Sequence, residues 1–380
     1  MKIIKWILIC LSLIISLLYI FKLDYLLRGV RTIYLTGNVT AFISDYKYFN
    51  NERIKTQKPE YWLKHKKYNQ IEETEVLKKL NQERETKAFI VIKNDSILFE
   101  KYFDGYNNSS LSNSFSVTKS IIVSMLGKAI MEGYIKGLDQ PVSDFFNEYK
   151  DGLAAELTVG HLASMSSGME WDEKYYSVIN ITSESYFTRD LRSLILNQKI
   201  IKKPGQSFRY SSGDTQLLGM VIEKATGVSL TSYLSEKFWT PMGAENEALW
   251  QIDSKKNKME KAYCCISGSA RDFARFGKLY INNGNWNGEQ ILDSSFVKKA
   301  ISPVFDNSDY YGYGWWLYNF NGKKVFTMNG HRGQFIISFP EENIIIVRQG
   351  EYNEKGDVNK QEGDLYKYIS EGYKLATSQN

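Results

Sequence analysis

Strand-like segments at both ends of the chain enclose a long helical middle, and this arrangement restricts the fold more than any other feature. Two apolar runs, residues 88–92 and 97–103, flank Asn94-Asp95, which predicts two strands joined by a turn. Strand patterns return near the other end, at residues 313–320, 324–328, 335–339 and 344–348. The stretch between them, about 116–300, is mostly helical in pattern. The simplest solution is an α+β fold, in which one antiparallel sheet from both chain ends is flanked by helices and a mainly helical subdomain.

Composition excludes several classes of protein. The 380 residues are 43% hydrophobic and 24% charged, which is typical of a globular protein. The net charge of +5 is small and scattered, so we expect no nucleic-acid partner. The three histidines, one of them in the Lys-rich stretch 64–66, do not form a zinc-binding pattern, and we expect neither a metal ion nor another cofactor.

The amino-terminal segment predicts export. Lys2 and Lys5 precede an uncharged apolar run over residues 6–21, which Lys22 closes. A small-residue cleavage pattern does not follow this run, so we favour an uncleaved signal-anchor in the cell membrane, with the rest of the chain extracytoplasmic. A cleaved signal and a secreted mature protein are the alternative. Flanking charges on both sides leave the orientation open.

The chain accordingly divides into three predicted parts. Residues 1–22 form the anchor, residues 23–85 a polar extension that links it to the main domain, and residues 86–380 the main domain. The extension has no functional motif. The adjacent Cys264 and Cys265 provide no disulfide framework, because neighbouring cysteines close only a strained ring, and we interpret them as small buried residues. The oligomeric state stays open.

Local signals mark several helix boundaries. Ser116 begins a helical stretch that reaches Glu132. Asp214 is a candidate N-cap for a helix that stops at Gly227. Ser269 begins a capping-box-like sequence for a helix that ends near residues 283–284.

Ser116 and Lys119 are the first candidate catalytic residues. They lie three positions apart, so a helix places them on one face, one turn from each other. A serine hydroxyl needs an adjacent base to become a nucleophile, and a lysine can be that base if burial lowers its pKa. The helix N-terminus adds N–H groups that favour a developing oxyanion. By itself such a pair is more often a capping serine and a solvated lysine.

Two further segments support the catalytic interpretation. Residues 204–214 place Tyr210 in a loop bounded by proline and glycine, just before a helix, where its phenol can face a cleft. Residues 329–334 are interrupted by glycines before a strand, so backbone N–H groups can approach a ligand closely there.

The three segments, in this order, resemble the penicillin-recognising serine hydrolases, and most closely the branch similar to 6-aminohexanoate-dimer hydrolase. The superfamily includes class C β-lactamases, D-alanyl-D-alanine peptidases and related esterases. The resemblance covers about residues 87–350 and is carried by SFSVTKS, SMSSGMEWDE, PGQSFRYSSGDTQLLG, GSARDFARFGKLYINNGNWNG and GHRGQ. It implies a β-lactamase/transpeptidase-like fold and an acyl-enzyme mechanism.

The resemblance also implies the roles of individual residues. Ser116 would be the nucleophile, Lys119 its base and Tyr210 the proton relay to the leaving group. The backbone N–H groups of Ser116 and Gln334 would form the oxyanion hole. The candidate substrate-binding residues are Tyr175, Ser212, His331, Arg332 and Gly333.

Two departures from the family pattern weaken the recognition of β-lactams. Ser212 stands where β-lactamases and transpeptidases carry Asn, and His331-Arg332-Gly333 stands where they carry Lys-Thr-Gly. We therefore expect a serine hydrolase that cleaves an amide or ester in a small molecule or short peptide. The alternatives are a β-lactamase or a D-alanyl-D-alanine peptidase, and a non-catalytic wall-binding or sensor protein with the same fold.

Overall fold

The computed structural model describes residues 2–175, 177–351 and 358–378. The α-helices of these residues are α1 (Lys2–Ile20), α2 (Tyr25–Thr32), α3 (Glu75–Glu83), α4 (Val117–Met131), α5 (Val159–Ala163), α6 (Ile181–Phe187), α7 (Leu191–Leu196), α8 (Ser212–Thr226), α9 (Leu230–Leu234), α10 (Ala270–Ile281), α11 (Ser294–Ala300) and α12 (Val358–Thr377). The strands are β1 (Asn50–Ile54), β2 (Leu63–Lys64), β3 (Thr86–Lys93), β4 (Ser96–Tyr102), β5 (Ser112–Asn113), β6 (Ala248–Ile252), β7 (Ile266–Gly268), β8 (Asn285–Trp286), β9 (Glu289–Gln290), β10 (Trp316–Phe320), β11 (Lys323–Gly330), β12 (Gln334–Phe339) and β13 (Ile344–Gly350).

The large sheet is built from both ends of the chain, as predicted. Its strand order is β10-β11-β12-β13-β3-β4-β2, and all neighbours are antiparallel except β2 and β4. Side chains alternate between two buried layers: Phe89 and Val91 contact α3 and α12, whereas Ile90 and Ile92 join the core under the helical part. Helices therefore cover both faces, which confirms the predicted fold class.

One predicted strand begins later than expected. The pattern over residues 313–320 predicts a strand from residue 313, but β10 begins at Trp316. Gly314 has a φ of 76°, a left-handed conformation that extended strands do not contain.

A second sheet takes two of its four strands, β6 and β7, from the stretch 116–300, which is mostly helical in sequence pattern. Its order is β1-β6-β7-β5, and β1 pairs with β6 from Asn50 opposite Ile252 to Ile54 opposite Ala248. β2 likewise adds to the large sheet, next to β4. Residues 23–85 are thus not only a link, because they supply strands to both sheets. The division of the chain at residue 85 stays a prediction.

The buried Asp45 connects this amino-terminal segment to the strand that leads into α4. Its carboxylate accepts hydrogen bonds from Tyr186 Oη at 2.6 Å, Asn113 Nδ2 at 3.0 Å and Gln251 Nε2 at 3.0 Å. Burial raises the pKa of Asp45 to about 6, and burial lowers the pKa of its neighbour Lys261 to about 7. This polar cluster anchors the segment close to the start of α4.

The helix caps correct one prediction and agree with another. Ser211, not Asp214, caps α8, because the Ser211 side chain accepts the N–H of Asp214. The Asp214 carboxylate is buried and accepts from Ser167 Oγ at 2.6 Å. Gly227 ends α8 in the left-handed conformation, with a φ of 74°, and Ser269 caps α10 as expected.

The two adjacent cysteines also differ from expectation. Cys264 and Cys265 are both buried, as predicted, but the structure joins them in a disulfide. Their adjacency had predicted no disulfide, because neighbouring cysteines close only a strained ring. They lie directly after Tyr263, beside the candidate active site.

α1 is the one helix among the described residues that is long and apolar enough to cross a membrane, with a mean hydropathy of 2.5. None of it is buried against the rest of the chain. α2 begins a few residues later, at Tyr25, and packs against α6, where Gly29 faces the ring of Phe187.

Candidate active site

Ser116 sits at the N-terminus of α4, a helix that is buried on nearly every side. The following residues, Val117, Thr118 and Lys119, are buried, whereas Ser116 remains half-buried. Phe115, directly before it, has a φ of 49°, which is unusual for a bulky residue and marks strain at this turn. The Ser116 side chain makes no capping hydrogen bond to the helix. Its hydroxyl is therefore available at the edge of a rigid element.

The position and the burial of Lys119 suit it to accept a proton from Ser116. Its Nζ lies 3.0 Å from Ser116 Oγ and donates to the Tyr263 carbonyl at 2.9 Å. Burial lowers the pKa of Lys119 to about 8, although the carboxylate of Glu173 opposes this shift. A useful fraction of the amine is neutral near physiological pH, which is the form that can accept a proton.

Tyr210 completes the group. Its ring centroid lies 5.0 Å from Lys119 Nζ, and the nearby Ser116 hydroxyl lowers the pKa of Tyr210, against the larger effect of burial. Burial and the nearby Glu173 carboxylate raise the pKa of Tyr210 well above its ordinary value, so the phenol keeps its proton at neutral pH. The ring packs against Trp316, with centroids 5.6 Å apart. Tyr210 is therefore suited to donate a proton rather than to act as the initial base.

Glu173 is a residue that the sequence analysis did not single out. Its carboxylate accepts hydrogen bonds from Tyr175 Oη at 2.6 Å and from Ser212 N at 2.9 Å, and it also accepts from the Ser212 hydroxyl. Its charge reaches both Lys119 and Tyr210. The sequence did offer a signal for Glu173, because it is the last residue of the motif SMSSGMEWDE and lies two positions before Tyr175.

Tyr175 and His331 form an aromatic wall beside Ser116. Their rings stack with centroids 5.4 Å apart, and the Phe115 ring lies at 83° to the His331 ring, with centroids 5.5 Å apart. Burial, together with the neighbouring Arg332, lowers the pKa of His331 to about 3. The imidazole is therefore neutral at physiological pH and offers a substrate no positive charge.

The structure directs Arg332 away from this wall. Its guanidinium pairs with Glu351 and donates to the Ala41 carbonyl at 3.3 Å. Glu351 in turn accepts the Ile43 N–H at 2.8 Å. Arg332 thus ties the loop between β11 and β12 to the amino-terminal segment.

Gly333 and Gln334 are held from behind. A Cβ at Gly333 would lie 2.7 Å from Arg348 Nη1, which donates to the Gly333 carbonyl. The Gln334 side chain is buried and donates to the Gly350 carbonyl at 2.7 Å. The Gln334 side chain is therefore occupied inside the protein, and Gly333 can offer a substrate only backbone atoms. The oxyanion role of the Ser116 and Gln334 N–H groups stays a prediction.

A cavity of about 410 Å³ opens beside Ser116. Its walls come from the amino-terminal segment and from the region around the nucleophile, and the lining residues are Tyr25, Leu26, Gly29, Val30, Ile33, Tyr34, Val39, Thr40, Ala41, Phe115, Ser116, Tyr175, Ser177, Val178, Thr182, Ser183, Tyr186, Phe187, Ser212, Tyr263, Cys264 and His331. Across residues 2–175, 177–351 and 358–378, no group of three or more His, Cys, Asp or Glu side chains is arranged to hold a metal ion.

Known proteins resemble this chain in sequence and in fold. The Beta-lactamase family model matches residues 73–361. The chain is 24% identical to the 6-aminohexanoate-dimer hydrolase of Paenarthrobacter ureafaciens, over 57% of each protein. It is 25% identical to Beta-lactamase-like protein 2 of Dictyostelium discoideum, over 63% of this chain and 49% of that protein. The chain therefore spans about half the length of these curated relatives.

Solved structures share the fold. A proposed 6-aminohexanoate-dimer hydrolase from Bacillus anthracis superposes with a TM-score of 0.76 at 22% identity, over 87% of this chain and 91% of that one. A class C β-lactamase mutant superposes with a TM-score of 0.56 at 15% identity, over 81% of this chain and 99% of that one.

Proposed function

The chain belongs to the beta-lactamase family, and we propose that it is a membrane-anchored, extracytoplasmic serine hydrolase that cleaves an amide or ester through an acyl-enzyme intermediate. The 3.0 Å contact between Lys119 Nζ and Ser116 Oγ carries this proposal. A buried amine with a lowered pKa, next to a half-buried hydroxyl and a protonated phenol, is the set of groups that acyl transfer needs.

In the first half of the reaction, Ser116 Oγ attacks the carbonyl carbon while Lys119 Nζ takes the hydroxyl proton. The N–H groups of Ser116 and Gln334 stabilise the negative oxygen that forms. The bond to the leaving group then breaks, and the leaving nitrogen or oxygen takes the proton of Tyr210. Lys119 returns its proton to the Tyr210 oxygen.

In the second half, a water molecule attacks the Ser116 ester and gives one proton to the Lys119–Tyr210 pair. The ester bond breaks, Ser116 Oγ regains that proton, and the acid leaves. The two halves together consume one water molecule, and all side chains return to their starting forms.

β-Lactamase and D-alanyl-D-alanine peptidase activity remain the alternatives within the same chemistry. A β-lactam presents a carboxylate, and Arg332 was the cation best able to hold it. The pairing of Arg332 with Glu351 argues against that role, and the neutral His331 supplies no replacement. Small esters or linear amides are therefore the better candidate substrates.

Labelling by a fluorophosphonate probe tests the proposal. The solubilised full chain should form one covalent adduct, seen by intact mass, and Ser116→Ala should abolish it. Ser207→Ala is the matched control, because Ser207 is an exposed serine in the loop that carries Tyr210, and it should label like the parent. Unchanged labelling of Ser116→Ala would refute the assigned nucleophile. A parent protein that neither labels nor hydrolyses any ester would favour the non-catalytic alternative.

A further inference from the structure

The cavity beside Ser116 has a wall that comes from outside the catalytic centre. Residues 25–41, which include α2, supply a large share of its lining. This segment follows α1 after only a few residues. The wall of the cavity is therefore placed next to the proposed membrane anchor.

Several contacts hold this wall in position. Gly29 of α2 lies against Phe187 of α6, close enough that a Cβ would be 3.4 Å from the ring. Arg332 donates to the Ala41 carbonyl at the other end of the segment. The wall is thus part of the folded structure at both ends, and it faces the nucleophile.

The lining of the cavity suits an apolar ligand. Among the described residues that line it there is no Lys, Arg, Asp or Glu. Several polar side chains of the lining already donate hydrogen bonds inside the protein. Tyr175 and Ser212 donate to Glu173. Thr182 donates to the Asp172 carbonyl, and Tyr186 donates to Asp45. A charged or strongly polar group would lose its hydration there with little replacement.

The position of Tyr210 indicates which part of a substrate enters. Tyr210 is the group that would protonate the leaving group, and it is not among the described residues that line the cavity. The leaving group therefore lies on the Tyr210 side of Ser116, and the cavity takes the acyl side. A volume of about 410 Å³ is within the usual range for small-molecule sites.

The rim of the cavity carries exposed apolar side chains. Val30, Tyr34 and Val39 of the amino-terminal segment line the cavity and are also exposed, as is Val178 on the facing side. Exposed apolar residues grouped around an opening are typical of surfaces that meet a membrane or an apolar ligand.

From these observations, we propose that the substrate carries a long hydrocarbon acyl chain, which binds in the cavity between the amino-terminal segment and Ser116. The proposal rests on the serine hydrolase function proposed above. Such a chain can come from a lipid of the surrounding bilayer or from a dispersed fatty acyl ester or amide.

Chain-length dependence of ester hydrolysis tests this substrate class. The full chain in mild detergent is assayed with p-nitrophenyl acetate, butanoate, octanoate and dodecanoate. Each methylene that leaves water is worth roughly fourfold in binding, so kcat/KM should rise at least about tenfold from butanoate to octanoate. A preference for acetate or butanoate, in a protein that labels at Ser116, would overturn the acyl-chain proposal alone. Absence of both hydrolysis and labelling would refute the hydrolase function itself.

Charge at the rim gives a matched pair of variants. Val39→Asp places a carboxylate at a lining position that is 59% exposed, and Leu35→Asp places one in the same segment at a position that is 77% exposed and outside the lining. The octanoate-to-butanoate ratio should fall at least about tenfold in Val39→Asp and stay at the parent value in Leu35→Asp. Val30→Asp is a second lining variant, and equal ratios in lining and control variants would overturn the proposal.

The source of the chain is distinguished with the full protein reconstituted in vesicles. A dodecanoyl ester lipid is placed either in the same vesicles or in separate ones. Hydrolysis confined to the shared vesicles supports a bilayer lipid, and equal hydrolysis in both supports a dispersed ester. The acyl-chain proposal is contradicted if neither arrangement of vesicles gives hydrolysis and octanoate is cleaved no faster than butanoate.

Discussion

At the scale of single residues, the proposed mechanism makes the reactivity of Ser116 depend on the charge state of Lys119. Removal of the amine in Lys119→Met, or of the phenol in Tyr210→Phe, should lower kcat/KM for a small ester by on the order of 10²–10⁴-fold, the range for positioned acid–base groups. The Michaelis constant should change less than kcat, because neither group lines the cavity. Steady-state kinetics at one pH measures this.

The control for these variants is Ser207→Ala, which should keep parental kinetics because its side chain is exposed. Parental turnover in Lys119→Met, with a normal melting curve, would mean that another group activates Ser116.

Glu173 should set the pH dependence of the reaction. As the proposed base, Lys119 can accept a proton only when neutral, so activity should rise with pH through its pKa of about 8. The Glu173 carboxylate stabilises the ammonium form and raises this pKa. Glu173→Gln removes that charge but keeps a hydrogen-bonding side chain, so the rising limb should move to lower pH.

A pH profile of kcat/KM for the parent and Glu173→Gln tests this role. Glu170→Gln is the control, since Glu170 lies in the same loop but has no hydrogen bond from Tyr175 or Ser212. If both variants keep the parental limb and only lose rate or stability, then Glu173 acts structurally rather than on Lys119.

At the scale of elements, β1 should contribute to the stability of the whole domain. Ile54 is fully buried in the strand that pairs with β6. Ile54→Ala should lower the free energy of unfolding by about 2–4 kcal/mol, through lost burial and the cavity that remains. The neighbour Arg53 is exposed and pairs with Glu247 at the surface, so Arg53→Ala should cost less than about 1 kcal/mol.

Chemical denaturation of the chain in detergent measures both variants. A neutral Ile54→Ala would indicate that β1 is detached from the cooperative unit, which would agree with a simple linking extension. Because β1 pairs with β6, we expect Ile54→Ala to destabilise the whole domain.

At the scale of the whole molecule, α1 should determine where the protein is found. None of its side chains is buried among the described residues, so the full chain should fractionate with membranes. Deletion of residues 1–22 should move the protein to the soluble fraction with Ser116 labelling retained. A start near Asn81 would instead remove β1, β2 and the cavity wall, and we expect that shorter chain to lose stability.

Fractionation combined with amino-terminal sequencing tests this prediction. Full-length protein with an intact amino terminus in the soluble fraction would contradict an anchor. A new amino terminus after the apolar run would support the cleaved, secreted alternative.

The sequence alone determined the features that depend on near neighbours. Strand alternation near residues 88–92, the capping serine at Ser269 and the one-turn spacing of Ser116 and Lys119 all reflect contacts between residues a few positions apart, which local pattern encodes. The same reasoning placed the N-cap of α8 about one turn too late, at Asp214, whereas Ser211 is the residue that caps the helix.

Only the tertiary structure decided the features that depend on distant partners. The packing of distant elements determines three such contacts. Ser212 donates a hydrogen bond to Glu173, and Lys119 donates one to the Tyr263 carbonyl. Arg332 pairs with Glu351. The same holds for the amino-terminal segment, whose polar composition resembled a linker. Some of its apolar side chains line the cavity because α2 packs on α6, and no local spacing in the sequence indicates that contact. Local pattern therefore located the candidate nucleophile Ser116 and the candidate base Lys119, whereas packing determined the pKa of the Lys119 amine and the shape of the cavity beside it.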